Sequence, residues 1–319
     1  MKKILALAMA LCLIFALAAA ASADWAPNGP VSVIVAYKAG NGTDNTARIL
    51  AKYAEKYIGQ TLVIDNVDGG SGSIGWSKLA ESDPDGMTIG FVNLPNFNSS
   101  IVKELGTYTI NDFTPICNHV TETSIIVVRA DDDRFPDLQA LVDYCRENTT
   151  KASTNGPQAS NHIGAQAFAN SAGFEYIDIP QGNTADELLW LRGGDADWCV
   201  VKVADIASMM SEVRVLAAFA TEPLREAGFE DVPLLKDLGY YPDWLGSSRM
   251  IAAPAGVSQE VVDFYANAFK QAMEDPEYLE ASASFTTDYK GPEAASELFI
   301  QQQEFTEGLA EGFWPDIDY

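Results

Sequence analysis

The stretch Val31-Ser-Val-Ile-Val-Ala36, Tyr37-Lys-Ala-Gly40-Asn-Gly42-Thr43-Asp44, with the amphipathic run that opens at Asn45, decides the fold class. An apolar run, a glycine loop and a periodic segment read as strand, turn and helix. Ala47, Leu50, Ala51, Ala54, Tyr57 and Ile58 recur at the three-to-four spacing of one buried helix face, and Gly59 stands where a C-terminal cap belongs. Thr43 or Asp44 is the expected N-cap. The first amides of such a helix have no internal partners and lie at the positive end of its dipole. The loop therefore suits a small anion without help from Arg or Lys.

The same alternation continues outward. Apolar runs at 31–36, 61–66, 87–92, 124–128, 176–179, 198–201 and 213–220 are separated by helical patterns such as 137–147 and 184–191. This predicts an α/β fold with parallel sheets covered by helices on both faces. Ligands of such sheets collect at the carboxyl ends of the strands, here the loops after Ala36, Asn66, Val92 and Ser153. A chain of 319 residues exceeds one ordinary core. Two lobes with a cleft between them are expected: 24–124 with 221–319 as one, and 125–220 as the other. A helix from 258 to about 274 is expected to pack back on one lobe.

Lys2 and Lys3, the apolar run 4–20 and Ala21-Ser22-Ala23 have the layout of a cleaved signal peptide over residues 1–23. A retained anchor is the competing reading, because the run approaches spanning length. The small residues before Asp24 favour cleavage and export to the periplasm. Cys12 lies inside the apolar run without the small residues of a lipid-attachment site.

There are 20 basic and 45 acidic residues, a formal net charge of −25. Such a chain is a poor partner for nucleic acid, which needs clustered Lys and Arg against phosphate. It is equally poor at attracting anions over distance, so an anion would be held by local dipoles. Cys117, Cys145 and Cys199 remain after the leader, permitting one disulfide or none. No CxxC or metal-ligand spacing accompanies them, and no metal or cofactor is expected.

Two patterns in the sequence compete with this reading. Gly70-Ser-Gly72-Ser-Ile-Gly75 follows a strand and fits a dinucleotide fingerprint. The acidic residue that should follow about 20 positions later is missing, since the next strand ends in Asn93-Leu94-Pro95. These glycines are read as a second loop that lets backbone approach a ligand. Ser153 or Ser160 with His162 would suit an exported hydrolase, but there is no G-x-S-x-G elbow. The simpler account is a helix capped by Ser160 or Asn161, with His162 in its first turn.

Tyr37-Lys-Ala-Gly-Asn-Gly-Thr-Asp44 with Ala47-Arg48, Gly69-Gly-Ser-Gly-Ser-Ile-Gly75, Asp83-Pro-Asp-Gly-Met-Thr88 and Asp112-Phe-Thr-Pro-Ile116 resemble landmarks of the Bug family. So do Gly193-Gly-Asp-Ala-Asp197, Asp231-Val-Pro233, Leu238-Gly-Tyr240, Trp244 with Gly246, and Pro254-Ala-Gly256. Bug proteins are the extracytoplasmic solute receptors of tripartite tricarboxylate transporters. The resemblance implies a Venus-flytrap receptor, type II-like, without catalysis. It would close on a small carboxylate or dicarboxylate and present it, as a monomer, to membrane permease subunits. A subunit sensing ligand for a membrane kinase stays an alternative. Carried onto this chain, the ligand set is Tyr37, Lys38, Gly40, Asn41, Gly42, Thr43 and Asp44 in the first loop. Ser153, Thr154, Asn155 and Gly156 with Ser160 and His162 form the facing loop, and Asn96 closes one side. Lys38 departs from the family pattern and could reach a second carboxylate. A further departure at Ile179-Pro-Gln-Gly-Asn183 leaves open which of Gln181, Gly182 and Asn183 faces the cleft.

Overall fold

The computed structural model describes residues 25–157, 159–226 and 228–313, so the expected signal peptide and Cys12 lie outside the described residues. The first strand is β1 (Val31–Val35), followed by α1 (Gly42–Ile58), β2 (Leu62–Asn66), α2 (Ser73–Ala80), β3 (Thr88–Leu94) and α3 (Asn96–Val102). β4 (Phe113–Arg129) leads to α4 (Leu138–Glu147), β5 (Thr150–Thr154), α5 (Ser160–Ala172), β6 (Tyr176–Pro180), α6 (Thr184–Gly193) and β7 (Trp198–Lys202). After the short α7 (Val203–Ile206) come β8 (Val213–Ala218), β9 (Gly246–Pro254), α8 (Gln259–Met273), α9 (Pro276–Ala281), β10 (Thr287–Lys290) and α10 (Pro292–Phe313).

Two sheets share one strand. The first runs β2-β1-β3-β9-β4, with β10 also on β4; the second runs β4-β7-β5-β6, with β8 also on β4. β4 pairs with β9 from Phe113 to Thr123 and with β7 from Ser124 onward. The trios β2-β1-β3 and β6-β5-β7 are parallel, as alternation predicts. β9, and β4 against β7 and β8, are antiparallel, which the sequence reading does not anticipate. It also leaves out β9, β10 and the first half of β4, and it places only the end of β5, at Ser153. β9 escapes because Gly-Ser-Ser-Arg carries no apolar residue, although its burial alternates, and only the rest is apolar, so no period marks the strand.

Side-chain alternation explains why both sheets are covered twice. Val31, Val33 and Val35 face Ala47, Leu50, Ala54 and Ile58 of α1, together with Val261, Tyr265 and Phe269 of α8. Ile34 points the other way, to Trp76 and Leu79 of α2. In the second sheet Ile126 and Val128 face Phe168 of α5, whereas Ile125 and Val127 face Leu188 and Leu191 of α6. Leu224, Phe229, Leu234, Leu235 and Leu245 are buried against that second sheet as well. The three cysteines among the described residues are buried and unpaired. No helix of the described residues is long and apolar enough to cross a membrane.

Candidate functional site

The strand-to-helix loops open onto a cleft of about 800 Å3. On one side stand Tyr37, Gly40, Asn41, Gly42, Thr43, Asn93 and Asn96; opposite are Asn155, Gly156, Ser160, Asn161, Gly182, Asn183 and Thr184.

The first loop is tied by its own side chains. Asn41 Oδ1 accepts from Asp44 N at 2.8 Å, so Asn41 is the N-cap of α1 in place of the expected Thr43 or Asp44. The Asp44 carboxylate, buried beneath the loop, accepts from Gly40 N at 2.8 Å, Arg48 Nε at 3.0 Å and Asn66 Nδ2 at 2.9 Å. Burial alone would raise its pKa, but the bonds from Arg48, Gly40 and Asn66 outweigh that and hold it below its ordinary value. With these bonds made, the amides of Gly42 and Thr43 donate to no other described residue and remain for a ligand. Thr43 Oγ1 accepts from Asn93 Nδ2 at 2.7 Å, and Asn96 reaches the Tyr37 hydroxyl at 3.5 Å.

The facing loop has no such cap. α5 begins after Ala159 without a side-chain bond at its N-terminus, instead of the expected Ser160 or Asn161 cap. The Ser160 and Asn161 amides donate to no other described residue. The same holds for Thr184 and Ala185 at the start of α6, where Asn183 Oδ1 is the cap. Three helix N-termini thus converge on one cleft, each with open amides at the positive end of its dipole. Gly156 has φ +113°, a backbone conformation that a side chain would strain, and a Cβ there would stand 3.8 Å from Gly182 Cα.

Charge enters from the strands. Arg249 of β9 donates to Glu122 Oε2 of β4 at 2.7 Å, and its Nη2 lies 3.4 Å from where a Gly42 Cβ would stand. Lys202, at the carboxyl end of β7, donates to Ser124 Oγ at 2.9 Å and Asn161 Oδ1 at 2.8 Å. Asn161 Nδ2 in turn donates to Glu187 Oε2 at 2.7 Å. Burial lowers the Lys202 ammonium and raises the Asp205 and Glu187 carboxyls, Glu187 most strongly.

Of the residues expected at the site, Tyr37, Gly40, Asn41, Gly42, Thr43, Asn96, Asn155, Gly156, Ser160 and Asn183 stand in the cleft wall. Lys38 is turned outward, its ammonium 3.7 Å from Asp68. Asp44 lies beneath the loop. Ser153 is fully buried with an unpartnered hydroxyl, and Thr154 donates to Asp178 at 2.8 Å. His162 is buried 3.8 Å from Asp178; burial lowers its pKa against the pull of that carboxylate. Gln181 turns to its own strand, donating to the Ile179 carbonyl. Of the Gly70–Gly75 stretch only Ser71 reaches the cleft, while Gly75 packs α2 on β1, where a Cβ would meet Ala36 at 2.7 Å.

Arg249, Lys202, Glu122 and Asp205 are absent from the sequence expectations. One signal for Lys202 was available: it is a charged residue closing an otherwise apolar strand, at the end where ligands of open sheets collect. Among the described residues there is no group of side chains placed to hold a metal.

The family model described as "Tripartite tricarboxylate transporter family receptor" matches residues 46–308. A Cupriavidus necator protein described as a UPF0065 protein in the gbd 5′ region is 28% identical over 281 residues, spanning 85% of this chain and 82% of the relative. A TctC solute-binding protein from Polaromonas, solved without ligand, superposes with a TM-score of 0.79 at 25% identity, over 89% of this chain and 99% of the other. The R. palustris protein Rpa4515, solved with adipate, gives a TM-score of 0.76 at 20% identity, over 90% and 98%.

Proposed function

We propose that this chain, which belongs to the tripartite tricarboxylate transporter receptor family, captures a small carboxylate in the cleft outside the cytoplasm and hands it to membrane permease subunits. Its relatives and structural neighbours are solute-binding proteins rather than enzymes. The observation that carries the reading is the meeting of three open helix N-termini in one polar cleft. Preoriented amides hold a carboxylate even in a chain of net charge −25, because their field is local and theirs are the dipoles nearest the ligand. A dicarboxylate such as the adipate of the neighbour is within the reading.

Lobe closure around the ligand is a hinge motion stabilised by contacts to both sides. We place the division where β4 changes partners between Thr123 and Ser124. The segment from Leu224 to Leu245 goes with the second lobe, on whose sheet it is buried; the sequence reading assigns it to the first. Export through a cleaved leader and a monomeric state belong to the same proposal.

The test is calorimetric titration of the mature protein and of Gly42→Pro with a series of mono- and dicarboxylates. Gly42 is the first helical residue, where proline is well tolerated, and Asn41 before it is already extended. The substitution removes one N–H and keeps the helix start, and Gly42→Ala, which sets the same Cβ 3.4 Å from Arg249 Nη2 but keeps the N–H, is its control. The expected result is binding by the parent and roughly tenfold weaker binding by the variant, the value of about one hydrogen bond. Unchanged affinity in Gly42→Pro would remove the Gly42 amide from the site, and binding of no carboxylate by the parent would overturn the reading.

A further inference from the structure

The cleft wall holds two carboxyl groups, and two of its asparagines have unanswered side-chain oxygens, besides the open amides. Glu122 and Asp205 both stand in its wall. Arg249 is already engaged by Glu122 Oε2, and Lys202 by Ser124 and Asn161. Asp205 accepts from the Lys202 amide through Oδ2 alone. The two acids and two bases leave the wall without net positive charge, so the open amides are what remains to attract an anion, and they can neutralise one carboxylate. Asn93 and Asn155, also in the wall, each keep a buried side-chain oxygen with no donor. Such atoms cost free energy until a donor reaches them.

We propose that Glu122 and Asp205 are specificity-determining residues, which admit a carboxylate whose far end carries an ammonium group and reject one whose far end carries a second carboxylate. This rests on the carboxylate reading above and narrows it. The carboxylate lies against the helix N-termini, and the ammonium donates to the carboxylate oxygens that Glu122 and Asp205 leave free in the cleft wall. A second carboxylate in its place would meet like charge, the repulsive element by which a site excludes a near relative of its ligand.

The experiment titrates the mature protein by calorimetry with matched pairs, succinate against 4-aminobutanoate and glutarate against 5-aminopentanoate, and repeats both with Glu122→Gln and Asp205→Asn. The expected result is that the amino acid of each pair binds at least about tenfold more tightly, and that either substitution narrows the gap by about tenfold or more. Tighter binding of the diacids by the parent overturns the inference while leaving the carboxylate reading standing. So does a gap that neither substitution moves. Binding of none of the four overturns both. Should either variant fail to fold, the comparison of matched pairs in the parent protein decides alone.

Discussion

The two loops that face each other across the cleft are held by opposite means. The first, at Gly40–Asp44, is fastened mostly from within: Asn41 caps the helix four residues before Asn45, Asp44 reaches back to Gly40, and Arg48 one turn on completes the set. The second, at Asn155–Asn161, has no local cap, and its anchor is Asn161, bound to Lys202 of β7 and Glu187 of α6. One is a local device of hydrogen bonds at the protein rim, the other a long-range polar network inside a core. Local devices are cheap to perturb, whereas buried networks penalise every unmatched member.

The sharpest break in that comparison is Asn161→Ala. It leaves the Glu187 carboxyl and the Lys202 ammonium each one bond short in the interior, and urea unfolding should show a loss of roughly 3 kcal/mol. An effect under about 1 kcal/mol would mean that the second loop is not anchored through Asn161.

The next contrast is in pH. Asp44 has a folded pKa below its unfolded value near about 3.9, so its contribution is present above that value and is lost as pH falls through the folded one. Glu187 has a folded pKa well above its unfolded value near about 4.3. Its effect has the other sign: stability declines as pH rises from about 4.3 toward the folded value. Stability measured from acid to neutral pH should therefore show a shallower acid-side fall in Asp44→Asn, with Asp132 and Asp275 still contributing, and a shallower decline above about 4.3 in Glu187→Gln, with Asp205 still contributing. Parallel curves for the two variants would erase the distinction between the loops.

Asn41→Ala removes a single half-buried cap and should cost about 1 kcal/mol, visible as a small shift in the urea midpoint. Smallest of all is Lys38→Ala. With its side chain 84% exposed and 3.7 Å from Asp68, it should change stability by less than about 0.5 kcal/mol and leave carboxylate affinity within about twofold. A larger loss of affinity would bring Lys38 back into the site.

This difference between the loops also sets what could be read from the sequence. The first was legible in outline because strand, glycines and helix are contiguous. Its cap was misassigned because Asn41, Thr43 and Asp44 all offer an oxygen to the same amides, and only the extended backbone at Asn41 decides between them. In the second, Gly156 and Ser160 were legible, but Ser153 and Thr154 end a strand buried on both faces and so turn inward. Arg249 and Glu122 meet across 127 residues and Lys202 and Ser124 across 78, distances at which residue spacing carries no information. β9 and the crossing of β4 from one sheet to the other were invisible for the same reason, since strand pairing between distant segments leaves no periodic trace.

That crossing strand has a consequence in time rather than in space. β3 and β4 are adjacent in sequence but are joined in the sheet only through β9, which begins at Gly246. During synthesis the first sheet therefore stays open until more than three quarters of the chain has emerged, and it remains an incomplete, edge-exposed structure until then. Such an order of assembly makes for slow closure dominated by distant contacts.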